Sequence, residues 1–483
     1  MMTAIDRGLA GQSITELKRG LEAKRYSARE VIEDLFRRAE RFKAYNAFAY
    51  LDQEAALKAA KAVDEALAKG QQGSRPLGGV PVSVKDLINT AGMRTAYGCR
   101  LYADHVPAAD ATCVAQVRAA GGIIFGKSTT PEFGHKIMTD SPLHGATGNP
   151  WNIQRSCGGS SGGAAVAVAL GLGPIAITTD GAGSSRIPAA VCGVYGLKPS
   201  LGRVPNDGAS DVFNLMVYNG IMARMPEDLG IGLRAMSAPH AGDPWSRYFP
   251  PMPPLAERPS VAGRRFLMIR RYSNRYLDPE IEAALEDTGR KLEAAGAVVE
   301  EFDGSTFEWS LDVARRLLRV NQAARYTRMV AEQREELDPS FVRIVEEAQE
   351  IDITRIGADM QERTRLYQRV DALFAQADYL LMPTTAGTAL PITQNQHGPF
   401  VLDGKEIGSL RDEWYPYTIP YNVTGHPALS LPHSLHTNGL PIGIHVVGRW
   451  GDEVGLIDIA RAMDEVTAAS RLAAPPLRQE TVQ

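Results

Sequence analysis

The sequence predicts an α/β fold in which helices pack on a mixed or mostly parallel central sheet. Two observations carry this. Short apolar runs of strand character alternate with helical segments between 77 and 178, and again from 265 to the tail. The stretch 307–377 reads as almost wholly helical and highly charged, so strands from both ends of the chain would build one sheet around a helical insertion. No segment recurs at a fixed period. A chain of 483 residues that is 44% hydrophobic and 22% charged has ordinary globular composition and enough apolar material for a large core.

Taken in order, 13–42 opens with SITE, where Ser13 would cap a helix and Glu16 would reach back to it. Leu17, Leu21, Val31, Ile32, Leu35, Phe36 and Ala39 keep helical spacing. Residues 45–51 read as a strand or extended piece, and 52–69 as a helix stopped by Gly70. This sets 1–75 apart as a helical segment packed on a single large catalytic domain, 76–483. That domain starts with Val80, Val82 and Val84 alternating into a strand that ends in Lys85 and Asp86. A helix at 112–120 closed by Gly121 and Gly122, a buried strand at 123–125, a helix at 164–171 and a strand at 175–178 follow. Seven prolines make 239–260 a surface crossing. Residues 265–269, 279–295 and 297–301 add another strand–helix–strand unit, and Asp338 before Pro339 breaks the inserted helices. A strand at 379–382 precedes 384–416, which has no period and reads as a lid or substrate-facing loop. Strands at 428–431 and 443–447 and a helix at 452–466 complete the chain.

Several function classes drop out. A net charge of −4 leaves no basic footprint for nucleic acid. The first residues hold no apolar leader. The longest apolar run, 164–177, contains two glycines and a proline and is too short to span a membrane. A cytoplasmic protein without a membrane partner is expected. Cys99, Cys113, Cys157 and Cys192 form no CxxC pair and are too scattered for a disulfide framework. His426, His433, His436 and His445 match no metal-ligand spacing.

The chemistry concentrates in 157–199, which is rich in glycine and serine and almost uncharged. Glycine at that density belongs where the backbone turns sharply or approaches a ligand. Three patterns compete. GGIIFGKS, 121–128, spells G-x-x-x-x-G-K-[ST], but a helix precedes it and Pro131 follows, so a helix cap and core strand read better. GGSSGG, 158–163, spells G-x-S-x-G around Ser160 or Ser161, without the preceding strand that a nucleophile elbow needs; His426 would fit such a triad by position alone. The third combines Lys85, Ser160 and Ser184. A serine nucleophile needs a base, and lysine can serve. Lysine at its ordinary pKa of about 10.4 is protonated at neutral pH. Burial at a strand end would lower that pKa and make it a base. The other serine would pass the proton along. The N–H groups of Gly181, Ala182, Gly183 and Ser184 would wrap an oxyanion.

The segment GGSSGGAAVAVALGLGPIAITTDGAGSSRIPAAVCGVYGLKPS resembles the signature of the amidase signature family. GVPVSVKD, GKSTTPEFG, GNPWN, YNVTGHPALSLP and GLPIGIHVVGR resemble its flanking motifs, so the likeness covers 13–235 and 376–466. It implies a mostly parallel, mixed central sheet covered by helices on both sides. It also implies a Ser-cisSer-Lys triad: Ser184 as nucleophile, Ser160 as bridging serine beside a cis peptide bond, and Lys85 as base, with oxyanion donors from 181–184. The usual GTDTGGSIR reads TTDGAGSSR here. Ala182 stands at a glycine or a larger residue, and Ser185 at an apolar one. Ser185 is therefore a second candidate nucleophile, although the spacing favours Ser184. Asp180 and Arg186 are expected to pair and hold the loop, Ser161 to support it by hydrogen bonding, and Cys157 and Cys192 to pack.

The implied reaction is acyl transfer from an amide to water, with no metal or organic cofactor, by a monomer or homodimer. Family members act on simple, aryl and fatty amides, on carbamates, or on glutamine in a transfer-RNA-dependent route. The pocket is expected from 127–145, the loop after Pro199, 307–377 and 384–416. Phe133, Ile137, Met138, Phe213, Leu215, Met216, Tyr326, Trp414 and Tyr415 in those regions suggest an apolar or aryl acyl site, with carbamates and esters as further substrates. The alternatives are the amidase component of a glutamine-dependent amidotransferase, which needs a partner chain, and a non-enzymatic binding protein, which would have lost Lys85 or a serine.

Overall fold

The computed structural model describes residues 7–70, 75–213, 216–307, 310–402, 404–467 and Pro475. Among these, eleven strands form one sheet. They are β1 (Phe48–Leu51), β2 (Pro81–Lys85), β3 (Ile123–Ser128), β4 (Ile175–Asp180), β5 (Tyr195–Lys198) and β6 (Tyr218–Ala223), then β7 (Arg265–Met268), β8 (Val298–Glu301), β9 (Tyr379–Pro383), β10 (Ala428–Leu435) and β11 (Pro441–Val447). Their order across the sheet is β1-β3-β2-β4-β6-β5-β10-β11-β9-β7-β8. As expected, the two ends of the chain meet in the middle.

The sheet is mixed, but the expectation that it is mostly parallel is corrected: six of its ten described adjacencies are antiparallel. Parallel pairing is confined to β3-β2-β4 and to β9-β7-β8, where helices such as Thr112–Ala119, Gly162–Ala169 and Pro279–Ala294 make the crossovers. A parallel pair needs such a crossover, whereas antiparallel neighbours can be joined by a short turn. The turn between β10 and β11 is of that kind, closed by the His436 N–H on the Leu440 carbonyl. The helix Arg186–Cys192 and the strands β5 and β6 were not separated out by periodicity.

Helices cover both faces. One apolar cluster holds the helix Gly162–Ala169 with Leu317, Leu366 and Val370 of the insertion. The other holds Val82, Val84 and Ile177 with Leu285, Leu456 and Ile457. β2, β4, β6 and β9 are buried along their whole length, as strands covered on both faces are. Successive strand residues point to opposite faces. With Val82 and Val84 on one face, Ser83 and Lys85 are turned to the other.

The N-terminal helical spacing resolves into two helices, Ile14–Glu22 and Ala28–Arg41, each with a complete capping box (Ser13 with Glu16, Ser27 with Glu30). The insertion holds Ser310–Gln333, Pro339–Gln349 and Ile353–Leu373. Asp338 caps its second helix and Pro339 occupies the first turn, as the sequence break implies. The aperiodic 384–416 contains a hairpin, Pro399–Leu402 with Lys405–Ser409, and the short helix Leu410–Trp414.

Candidate active site

Three segments bring Lys85, Ser160 and Ser184 together. Lys85 ends β2 and is fully buried, with its Nζ 2.7 Å from Ser160 Oγ and 2.9 Å from Thr179 Oγ1 on neighbouring β4. Ser160 follows a cis peptide bond from Gly159, and its Oγ lies 3.0 Å from Ser184 Oγ. The result is a continuous line, Lys85 Nζ to Ser160 Oγ to Ser184 Oγ. Ser184 is the more accessible end, 8% exposed against 2% for Ser160. Ser161 ties the two loops together: its N–H donates to the Ser184 carbonyl at 3.3 Å and its Oγ–H to the Thr179 carbonyl at 3.1 Å. The loop is fixed by close approach. A Cβ on Gly163 would lie 2.3 Å from Thr129 Oγ1 and 2.5 Å from the Ala47 carbonyl oxygen.

Burial drives the pKa of Lys85 well below the ordinary lysine value, and the Asp180 carboxylate opposes this only in part. The shift favours the neutral amine. Burial alone would raise the Asp180 carboxyl; the Arg186 guanidinium and Asn422 overcome it and hold Asp180 well below the usual carboxylate range. Arg186 grips Asp180 with two bonds of 2.9 Å and donates to the Thr418 carbonyl at 2.8 Å and to Asn422 Oδ1 at 2.6 Å. Asn422 returns two bonds of 2.9 Å to Asp180. Asp180 in turn accepts the Gly183 N–H at 2.7 Å and the Ser185 N–H at 3.0 Å, the amides on either side of Ser184. The expected Asp180–Arg186 pair is thus the frame of the Ser184 loop.

That frame engages one of the expected oxyanion donors. The Gly183 N–H is already committed to Asp180. The N–H groups of Gly181, Ala182 and Ser184 have no partner among the described residues. Ser185 is fully buried and its hydroxyl is bonded to Thr178 Oγ1 at 2.7 Å, which places it outside the line of the other three groups.

The expected pocket residues divide. Phe133 stacks with Tyr326 and Phe341 at ring-centroid distances of 4.4 and 4.9 Å. Ile137 and Met138 are buried, with their backbone against Gly159. Met216, Trp414 and Tyr415 are buried in the main core. Phe213 is 73% exposed, and Leu215 lies outside the described residues. A cavity of about 370 Å³ is lined by Lys136, Met138 and Asp140, by 338–340 and by 392–397. Three of the four segments expected to build the pocket meet there.

Among the described residues, no three His, Cys, Asp or Glu side chains are grouped to hold a metal. His426 is buried between the rings of Tyr367 and Phe374, and burial lowers its pKa to about 3. All four cysteines are free and buried; burial pushes the Cys157 thiol up to about 12. Among the described residues, no helix is long and apolar enough to cross a membrane.

Thr179, Thr418 and Asn422 were not anticipated. Thr418 Oγ1 donates to the Ala182 carbonyl at 2.8 Å, so both Thr418 and Asn422 clamp the 180–185 loop from the far end of the chain. Their signal was polar side chains within buried segments.

A family model described as amidase matches residues 30–457. An acylamidase from Rhodococcus erythropolis is 32% identical over 450 residues, covering 92% of this chain and 93% of that protein. One component of the glutamyl-tRNA(Gln) amidotransferase of Thermus thermophilus is 32% identical over 462 residues, covering 87% and 90%. The crystal structure of a bacterial aryl acylamidase of the amidase signature family superposes with a TM-score of 0.87 at 27% identity, covering 95% and 97%.

Proposed function

The chain belongs to the amidase family of C–N hydrolases, and on that footing we propose that it cleaves amides by acyl transfer to Ser184, relayed through Ser160 to Lys85. One observation carries the reading: the unbroken Lys85–Ser160–Ser184 line, 2.7 and 3.0 Å between heavy atoms, with the lysine buried. A hydroxyl has one rotatable proton and two lone pairs, so the same line runs in either direction. With Lys85 neutral, Ser184 gives its proton to Ser160, which passes its own to Lys85 Nζ. Ser184 Oγ attacks the amide carbon, and the oxyanion accepts N–H bonds from the cradle of Gly181, Ala182 and Ser184. The C–N bond breaks as the leaving amine takes the proton back along the relay. Water then attacks the ester carbon and gives a proton through Ser160 to Lys85; the bond from the acyl carbon to Ser184 Oγ breaks, Oγ takes that proton back, and the acid leaves.

We assign aryl or apolar acyl amides as substrates. Phe133, next to the Gly134 that abuts Ser160, packs its ring with Tyr326 and Phe341 in an aromatic cluster close to the relay. The acylamidase and aryl acylamidase relatives are consistent with this. The test is turnover of a panel of anilides, esters, carbamates and primary amides by the purified chain, beside Ser184→Ala. Anilide turnover that vanishes in the variant is expected. An inert purified chain that gains amidase activity only with a partner protein would transfer the assignment to the amidotransferase class.

A further inference from the structure

The turn 132–136 makes two kinds of contact. Four of its five residues grip the helical insertion. The buried Glu132 accepts the Asp338 N–H on Oε1 at 3.1 Å. Phe133 packs its ring on Tyr326 and Phe341. His135 Nε2 is 2.6 Å from Ser340 Oγ, and Lys136 Nζ donates to Asp338 Oδ2 at 2.8 Å. The fifth, Gly134, faces the other way: a Cβ there would be 3.2 Å from Ser160 Oγ and 2.7 Å from Leu87 Cδ1. Phe133 is held at φ +47°, a left-handed backbone that non-glycine residues adopt only when their surroundings impose it.

The node at Asp338 is built for fixing. Asp338 sits where the insertion breaks between two helices, and its carboxylate caps the second one through the Ser340 N–H. Glu132 contributes one paired oxygen; its Oε2 has no hydrogen-bond partner among the described residues. Leaving a buried carboxyl oxygen unsatisfied costs stability, so the group is retained against its own desolvation. Burial raises its pKa to about 7; the Asp338 N–H lowers it, the Asp338 carboxylate raises it, and Cys99 and Lys136 lower it.

We infer that Glu132 is a positioning residue, fastening the 132–136 turn to the Asp338 break so that Gly134 holds relay Ser160 in line between Lys85 and Ser184. The inference rests on the relay proposed above. It gives the insertion a role in catalysis without contact to the reacting atoms. Loss of the clamp slows the relay and leaves substrate binding in place, because misplacing a reacting group by about 1 Å costs on the order of a hundredfold in rate.

The test compares Glu132→Ala and Glu132→Gln at a temperature well below each unfolding midpoint. Glutamine keeps an oxygen for the Asp338 N–H and carries no charge. For Glu132→Ala, kcat per active site titrated with a serine-reactive phosphonate is expected to fall about tenfold or more, with KM nearly unchanged. Glu132→Gln is expected to restore kcat to within about threefold of the parent chain. Native kcat per titrated site in Glu132→Ala, with only a lower midpoint, would overturn the inference, as would equal losses in both variants. If Glu132→Ala does not fold, Ser340→Ala cuts the His135 contact instead; a lower kcat there supports the clamp and an unchanged kcat overturns it. Phosphonate labelling that survives in Ser184→Ala would mark failure of the relay itself, whatever the Glu132 variants do.

Discussion

Arg186→Met removes the guanidinium behind the nucleophile loop and leaves a side chain of similar reach. The native group is fully buried and makes two bonds to Asp180, one to the Thr418 carbonyl and one to Asn422. Asp180 would keep the Gly183 and Ser185 N–H groups and Asn422 but lose its counter-charge. Breaking one partner of a buried pair costs about 3–5 kcal/mol. Lys198, whose pKa burial and Arg186 hold well below the ordinary lysine value, would regain proton affinity and bring the cost towards the lower end of that range. At about 2.1 cal/mol/K per residue, a chain of this length unfolds with roughly 1 kcal/mol/K of entropy, so the midpoint drops by about 3–5 °C at pH 7. The pH sign follows from Asp180. In the native chain its pKa is lowered, so its stabilisation is present above the unfolded carboxylate pKa and unaffected between pH 7 and 5. In the variant burial dominates and raises the carboxyl, so the folded state takes up a proton on acidification and the deficit narrows. Because Asp180 fixes the amides flanking Ser184, kcat/KM for an anilide should fall on the order of a hundredfold. Scanning fluorimetry at the two pH values and steady-state rates are the assays. A deficit that is constant or widens on acidification, or a native kcat/KM, would refute the framing role.

A lysine base predicts an acid limb in kcat/KM: activity falls as pH is lowered through the depressed Lys85 pKa, and a profile flat down to about pH 5 contradicts it. Lys85→Met should abolish turnover, by about 10⁴-fold or more, while raising the unfolding midpoint at neutral pH. Its folded pKa is lowered, so stability rises with pH across the window up to the unfolded value of 10.5; below that window's upper edge the lysine costs folding energy that methionine does not. A lower midpoint in Lys85→Met, measured beside the parent chain, would show that the bonds to Ser160 and Thr179 outweigh desolvation.

Much of this site was legible because its parts are local. Val80, Val82 and Val84 announced β2 and put a charge at its end, and the glycine-rich spacing announced the two serine loops. Strand direction was not legible. Nothing in YGLK or YNGIMA says that β5 and β6 run antiparallel to each other, or that β6 runs antiparallel beside β4, since partner choice depends on crossovers and on the rest of the sheet. Trp414 and Tyr415 looked like pocket walls because aromatic side chains suit a core and a binding site equally. Thr418, Asn422 and Glu132 were given no site role, although Asn422 and Glu132 fall inside the motifs YNVTGHPALSLP and GKSTTPEFG. Each acts across more than two hundred positions of sequence or through a backbone amide, and local pattern carries no trace of either.

Ser184 stands between two other buried serines, Ser160 and Ser185, so the most direct measurement is which one becomes covalently modified. The purified chain would be treated with an aryl phosphonate, digested and read by mass spectrometry. A single adduct on Ser184, absent from Ser184→Ala and strongly slowed in Lys85→Met, is the predicted result. An adduct on Ser160 or Ser185, or full anilide turnover by Ser184→Ala, would contradict it.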